Sequence, residues 1–170
     1  GKLDDVRGID ILLDSALGIV TGQDVEIRIT GYGSRVDEVE QRVSEMDTDE
    51  ISFLGFLSSE EYREELVEAD IAVNLQLPDA PGNEYTFPTK ILDYLATGNV
   101  VVSTRMSDLE GVLDDILVFT ESNSDAATTT ISEVCNDFSA HSQRIAAGHT
   151  RVQESCSPEQ RVETISPLSD

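Results

Sequence analysis

Lys90 opens the stretch PTKILDYLATG three residues before Asp93, in a chain where acids outnumber bases 34 to 11 and the only other lysine is Lys2. Pro88 marks the start of a helix there and Gly98 its end, since proline is tolerated in a first helical turn and glycine takes the left-handed conformation that stops one. The first N–H groups of that helix, at about Thr89 and Lys90, lack intrahelical partners and carry the positive end of the dipole, which attracts an anion. A lysine there opposes the dipole by about 0.3–1 kcal/mol, so its placement makes sense when a phosphate sits between. Asp93 lies over the same face, where a carboxylate can accept hydrogen bonds from a ribose diol. The alternative is a plain Lys90–Asp93 surface pair worth about 0.2–0.5 kcal/mol. Spacing alone leaves the two readings level.

A site of this kind needs strands to carry its loops, and the flanking sequence supplies them. IDILLDSAL, 9–17, has helical spacing; VEIRIT, 25–30, alternates as a strand and stops at Gly31-Tyr32-Gly33-Ser34; VDEVEQRVSEM returns to helical period. ISFLGF, 51–56, is a short strand, after which Ser58 and Glu61 form a capping box for the helix EEYREELVEA. DIAVNL, 70–75, is a strand, followed by the loop LPDAPGNEYTF and the helix that holds Lys90. VVVST is nearly all apolar and β-branched, as expected of a strand buried on both faces of a parallel sheet. A short helix near 107–112 and the strand ILVF, 116–119, continue the alternation. Past Ser122 the pattern is helical only, with SPEQRVETI, 157–165, carrying a second capping box at Ser157 and Gln160. The alternation predicts an α/β domain with a doubly wound, Rossmann-like parallel sheet. Residues 1–122 form its core and 123–170 a C-terminal helical segment of the same domain. In such sheets ligands bind beyond the carboxyl ends of the strands.

Composition narrows the function further. A chain of 170 residues suits one domain. A net charge of −23 spread along the chain repels nucleic acid and anionic lipid, while 39% hydrophobic residues argue against disorder. Acid excess with lysine depletion resembles proteins of salt-in halophiles, whose carboxylate surface stays hydrated in concentrated KCl; the alternative is an ordinary acidic mesophilic protein. Cys135 and Cys156 lack metal or redox spacing. His141 and His149 read as surface or packing residues of the terminal helices. Glu38, Glu40, Glu45, Asp47, Asp49 and Glu50 read as solvated surface, not as a metal site. No apolar run reaches the roughly 18–20 residues of a membrane span and no signal peptide opens the chain, so the expected location is cytoplasmic.

FPTKILDYLATGNVVVST resembles the signature region of family-4 type retaining glycosyltransferases with the GT-B fold, in the branch reading Pro-Thr-Lys-x-x-Glu-Tyr-Leu-Ala-x-Gly-x-Pro-Val-Val. The resemblance implies that Asp93 binds the ribose of a nucleotide sugar and that Thr89 and Lys90 bind its diphosphate. GKLDDVRG is similar to the family's Gly-Arg-Leu-x-x-x-Lys-Gly, which puts Lys2 and Arg7, with their types exchanged, on the two basic places that grip the diphosphate. Both lysines of the chain thus fall on implied phosphate contacts. ITGYGS resembles the family's Ile-x-Gly-x-Gly loop, with Gly31 and Gly33. ISFLGFLSSEE resembles the segment that flanks the base, with Phe56, and Phe87 precedes the signature helix. ADIAVNL is similar to the family's Ala-Asp-Val-x-Val strand, and RVQESCSPEQRVETI to its terminal helix.

The departures are informative. The family often shows two glutamates separated by seven residues, the first near the donor sugar; counting back from Asp93 reaches Tyr85, so Glu84 takes that catalytic place only after a shift of one residue. Val100 stands where the family usually has proline. GT-B enzymes have two Rossmann-like domains, and the resemblance covers the carboxyl-terminal one, with Gly1 falling just after its first strand. It implies a donor-binding half-enzyme, from an incomplete gene or a trimmed fragment, which does not catalyse transfer alone. Its implied partners are a UDP- or GDP-linked sugar and, through a missing amino-terminal domain, a glycan or lipid-linked acceptor. Lys2, Arg7, Lys90 and the helix amides would stabilise the departing nucleoside diphosphate without a metal or other cofactor. The competing readings are a non-catalytic nucleotide-sugar-binding module, half of a nucleotide-sugar 2-epimerase, or an α/β domain with no ligand.

Overall fold

The computed structural model describes residues 1–81, 83, 88–106, 109 and 111–155. Helices and strands alternate as α1 (Ile9–Val20), β1 (Ile27–Thr30), α2 (Val36–Glu45), β2 (Ile51–Gly55), α3 (Ser59–Glu68), β3 (Ile71–Asn74), α4 (Lys90–Thr97), β4 (Val100–Thr104) and β5 (Val118–Thr120). They are followed by α5 (Ser124–Asn136), a 3-10 turn (Phe138–His141) and α6 (Ser142–Ser155). All strand pairings are parallel, in two hydrogen-bonded sheets, β1–β2 and β3–β4–β5. Residues 1–3 run alongside β1 on the side opposite β2: Gly1 N donates to Thr30 O (2.9 Å), Tyr32 N to Gly1 O (2.9 Å) and Leu3 N to Tyr32 O (2.7 Å).

The expected α/β alternation is present because each element buries the face that its period supplies. α1 places Ile9, Leu13, Ala16 and Val20 against Ile29, Val39 and Ile51, and places Ile11 and Ile19 in a second cluster with Leu75, Val100 and Val102. Leu12 and Ile27 pack against both clusters, so the two sheets share one continuous apolar interior. β4 is buried along its whole length, with Val101 turned the other way into a third cluster beneath α4 with Ile91, Leu95 and Leu117. That explains its nearly all-apolar, β-branched sequence. α5, capped by Asn123 Oδ1 on Ala126 N at 2.9 Å, adds Ala127, Ile131 and Val134 to the interior.

Two local expectations change. The described residues of 107–112, namely Leu109, Gly111 and Val112, lie in turns, not in a helix. Leu109 N donates to Met106 O (2.9 Å) and Val112 N to Leu109 O (3.3 Å), and Gly111, at φ 75°, takes a left-handed conformation that helix continuation does not allow. The final strand begins at Val118, because Ile116 and Leu117 are buried from a turn closed on Leu113 O. The capping box at Ser58 and Glu61 is formed as expected. The helix expected over 157–165 lies outside the described residues.

Candidate functional site

The loop of residues 4–8 leads from the paired residues 1–3 into α1, and it is pressed onto the chain that leaves β3. Leu77 N and Asn83 Nδ2 both donate to Val6 O, each at 3.1 Å. Gly8, at φ 70°, is the residue before α1, and a Cβ there would stand 1.7 Å from Leu75 O. Only glycine permits that approach. The result fixes Arg7 at the carboxyl end of β3, where its Nη1 donates to Gln76 Oε1 at 2.9 Å. Asp4 joins the two basic residues of the loop: its Oδ2 is 3.1 Å from Lys2 Nζ, and its Oδ1 is 3.9 Å from Arg7 Nε and accepts from Val6 N at 3.3 Å.

Lys90, half-buried at the start of α4, lies next to the paired residues 1–3 that precede this loop, since a Cβ built on Gly1 would be 3.3 Å from Lys90 Cε. Its ammonium sits 4.6 Å from the ring centroid of Tyr62, on α3, and 3.5 Å from the Tyr62 hydroxyl. Among the described residues no carboxylate lies within 4.0 Å of it, so the Lys90–Asp93 surface pair is not formed. Asp93 is exposed in the first turn of α4. The turn bonds of the helix begin with Ile91 N to Pro88 O (3.0 Å) and Leu92 N to Thr89 O (3.1 Å), and the N–H groups of Thr89 and Lys90 precede them. Burial, then the Asp93 charge, raises the Tyr62 phenol, and burial lifts Tyr94 above the ordinary phenol range, so both remain neutral beside the lysine.

At the ends of β1 and β2, Tyr32 and Phe56 meet edge to face, with centroids 5.8 Å apart. Both rings are exposed, Phe56 by 73%. Gly31 and Gly33 serve the neighbouring residues 1–3: a Cβ on Gly31 would lie 2.3 Å from Gly1 O, and one on Gly33 would lie 2.5 Å from Leu3 O. Glu84 and Phe87, two of the expected site residues, lie outside the described residues.

The structure therefore brings Lys2 and Arg7 together through Asp4 and places Lys90 beside Gly1, one residue before Lys2. Sequence reasoning missed Asp4, Gln76 and Tyr62. Asp4 lies inside the quoted GKLDDVRG stretch, between the two cations it contacts, and Gln76 lies in the loop after β3, where the fold directs attention. Tyr62 gave no signal beyond its place in a helix.

The basic residues of this site contrast with the arginines between α1 and α2. Arg35 binds Asp10 through both terminal nitrogens at 2.7 Å and Glu38 at 2.6 Å, while Arg42 binds Asp10 at 3.1 Å and also Asp14. The Arg35 hydrogen bonds hold the Asp10 carboxyl below its ordinary range.

Comparison with solved structures gives the same fold. The protein HepE of Anabaena, solved with UDP and glucose, superposes with a TM-score of 0.76 at 17% identity over 99% of this chain and 47% of that one. The chain thus spans about half the length of that protein. The catalytic domain of the cholesterol-α-glucosyltransferase of Helicobacter pylori gives 0.73 at 15% identity over 91% of this chain and 94% of that one. The C-terminal domain of the group 1 glycosyl transferase LpcC of Francisella tularensis gives 0.75 at 19% identity over 91% and 82%. No curated protein matches the chain. The family model described as glycosyl transferases group 1 matches residues 1–137, most of the chain, and the chain belongs to that family.

Proposed function

We propose that this chain is the donor-binding half of a retaining glycosyltransferase of the family-4 type, holding the nucleoside diphosphate of a UDP- or GDP-linked sugar. The observation that carries the reading is how two cations are held. Among the described residues, the guanidinium of Arg7 hydrogen-bonds a neutral amide, and the ammonium of Lys90 rests on a neutral phenol, in a protein of net charge −23. The nearest carboxylate to Arg7, Asp4, stands at 3.9 Å, and positive charge that is not hydrogen-bonded to a carboxylate, beside a helix N-terminus, is what a diphosphate requires.

In this reading Lys2, Arg7, Lys90 and the first amides of α4 contact the diphosphate, Asp93 accepts from the ribose diol, and Phe56 with Tyr32 offers an apolar face to the base. Glu84 and Phe87 are assigned to the sugar side by resemblance alone. When the glycosidic bond to the donor phosphate breaks, negative charge grows on the departing diphosphate. Each charge-assisted hydrogen bond to it contributes about 1.5–3 kcal/mol, with no metal in the scheme. Lys2 must exchange Asp4 for phosphate, whereas Arg7 and Lys90 have no hydrogen-bonded carboxylate to release. The acceptor, a glycan or lipid-linked sugar, belongs to a second domain in this proposal, and residues 123–170 complete the donor domain. The acidic coat suits a cytoplasm of concentrated KCl.

The test is a thermal-shift titration in molar KCl with UDP, GDP and ADP on the wild type and Asp93→Ala. One diphosphate is expected to raise the unfolding temperature of the wild type and to lose that effect with Asp93→Ala. An equal shift in both proteins removes Asp93 from the site, and no shift with any diphosphate overturns the donor-domain reading.

A further inference from the structure

Gln76 lies two residues past the end of β3 and is 2% exposed. Its main-chain oxygen accepts from Thr104 Oγ1 at 2.5 Å, and its Oε1 accepts from Arg7 Nη1 at 2.9 Å. Among the described residues its buried Nε2 has no hydrogen-bond partner. An amide reversal does not rescue that nitrogen, because a guanidinium only donates and requires the oxygen to face it. The orphaned donor is therefore built into the contact with Arg7, and a buried unpaired N–H destabilises the fold.

Glutamate at this position would replace the orphaned donor by a carboxylate oxygen and clasp Arg7 with a full negative charge through the oxygen that already meets Nη1, in a chain that has 34 acidic residues. The price of that clasp is the charge of Arg7. We propose that Gln76 is a positioning residue that aims the Arg7 guanidinium at an anionic ligand without neutralising it, stability being lost at Nε2 to keep that charge available. The proposal rests on the reading of Arg7 as a diphosphate contact and adds the group that holds it. Its distinguishing consequence is that substitutions at 76 move stability and diphosphate affinity in opposite directions, which a merely structural glutamine would not do.

The experiment uses the 170-residue chain at fixed KCl concentration and compares the wild type with Arg7→Gln, Gln76→Glu and Gln76→Met. Calorimetric titration with UDP, GDP, ADP and inorganic pyrophosphate is paired with thermal unfolding. Arg7→Gln is expected to weaken the preferred diphosphate about tenfold or more. Gln76→Glu is expected to weaken it to a similar degree while unfolding at the wild-type temperature or higher. Gln76→Met, which removes the orphan without adding charge, should unfold no lower than the wild type and bind severalfold more weakly, because the guanidinium is no longer held. This second variant decides the matter if the buried glutamate prevents folding. Loss of binding in Arg7→Gln with affinities within twofold of wild type in the Gln76 variants overturns the role of Gln76 and leaves the diphosphate reading standing. Unfolding of both Gln76 variants well below the wild type overturns the trade-off. Equal binding by the wild type and Arg7→Gln defeats the reading of Arg7 itself, and the role of Gln76 falls with it.

Discussion

Arginines on the two sides of α1 meet opposite fates. Between α1 and α2, Arg35 and Arg42 share Asp10 and reach Glu38 and Asp14, so that positive charge is spent locally on carboxylates. At the start of α1, Arg7 lies within a loop containing Asp4 and Asp5, yet it hydrogen-bonds Gln76, and Asp4 Oδ1 stands off at 3.9 Å. The first arrangement ties two helices together. The second keeps a cation in place while leaving its field open to a ligand. If Arg7 contacts a diphosphate as proposed, the choice of partner, more than the presence of a basic residue, distinguishes a structural cation from a binding one in a protein so acidic.

The most severe way to break this comparison is to remove the frame that holds the second region. Gly8→Ala forces a Cβ against Leu75 O, 1.7 Å from its ideal position, at a φ of 70° that alanine resists. Overpacking a tight contact costs about 1–3 kcal/mol, and this contact is with backbone that has little room to move. A loss near the upper end of that range lowers the unfolding temperature by roughly 6–12 °C for a domain of this size. Diphosphate binding should fall with it, because Arg7 adjoins the glycine. An unfolding temperature unchanged by Gly8→Ala would show that the loop of residues 4–8 does not sit against Leu75.

Asp10→Asn probes the opposite region and should leave binding alone. The carboxylate is half exposed, so solvent screening limits its worth, and the loss expected is about 1 kcal/mol of stability. Diphosphate affinity should remain within twofold of wild type. The pH dependence has a definite sign. Hydrogen bonds from Arg35 depress the folded-state pKa of Asp10 below the ordinary aspartate range. Its stabilisation is therefore fully present above the unfolded value and is lost as pH falls through the lower folded value. Acid unfolding curves of wild type and Asp10→Asn should begin to approach each other as pH falls below about 3.9, the unfolded value, and converge below the lower folded value. A gap that persists at lower pH would mean that Asn disturbs packing and that the ion pairs are not its cause.

Much of the fold was legible because its signals are local. The capping box at Ser58 and Glu61, the left-handed Gly98 that ends α4 and the two-sided burial of Val100, Val101 and Val102 each follow from a few adjacent residues. The stretch before β5 was less legible, since Ile116 and Leu117 are as apolar as strand residues and are buried from a turn. The identities of Lys2, Arg7 and Lys90 could be read from their rarity and from motif resemblance. The partners that hold Arg7 and Lys90 could not, because Gln76 is 69 residues from Arg7 and Tyr62 is 28 from Lys90. Gly31 and Gly33 entered through resemblance to the family's glycine loop, and nothing in the sequence signalled that their missing side chains also make room for residues 1–3.

The smallest effect sharpens the comparison most, because it separates a neutral holder from a spent charge. Tyr62 presents its ring to Lys90 at 4.6 Å and its hydroxyl at 3.5 Å, the outer limit of a hydrogen bond, so the ring supplies most of the contact. A cation–π contact at such a site is worth about 0.5–1 kcal/mol, roughly two- to fivefold in affinity if all of it serves to hold the lysine toward its ligand. Tyr62→Phe keeps the ring and should bind a diphosphate within about twofold of wild type. Tyr62→Leu keeps the bulk without the ring's negative face and should bind two- to fivefold more weakly. Tyr62→Glu would give Lys90 the kind of partner that Arg35 already has, and it should bind most weakly of the three although it adds an ion pair. If the glutamate variant binds as well as the phenylalanine one, then a carboxylate partner does not spend a cation here, and the distinction between the two sides of α1 loses its functional meaning.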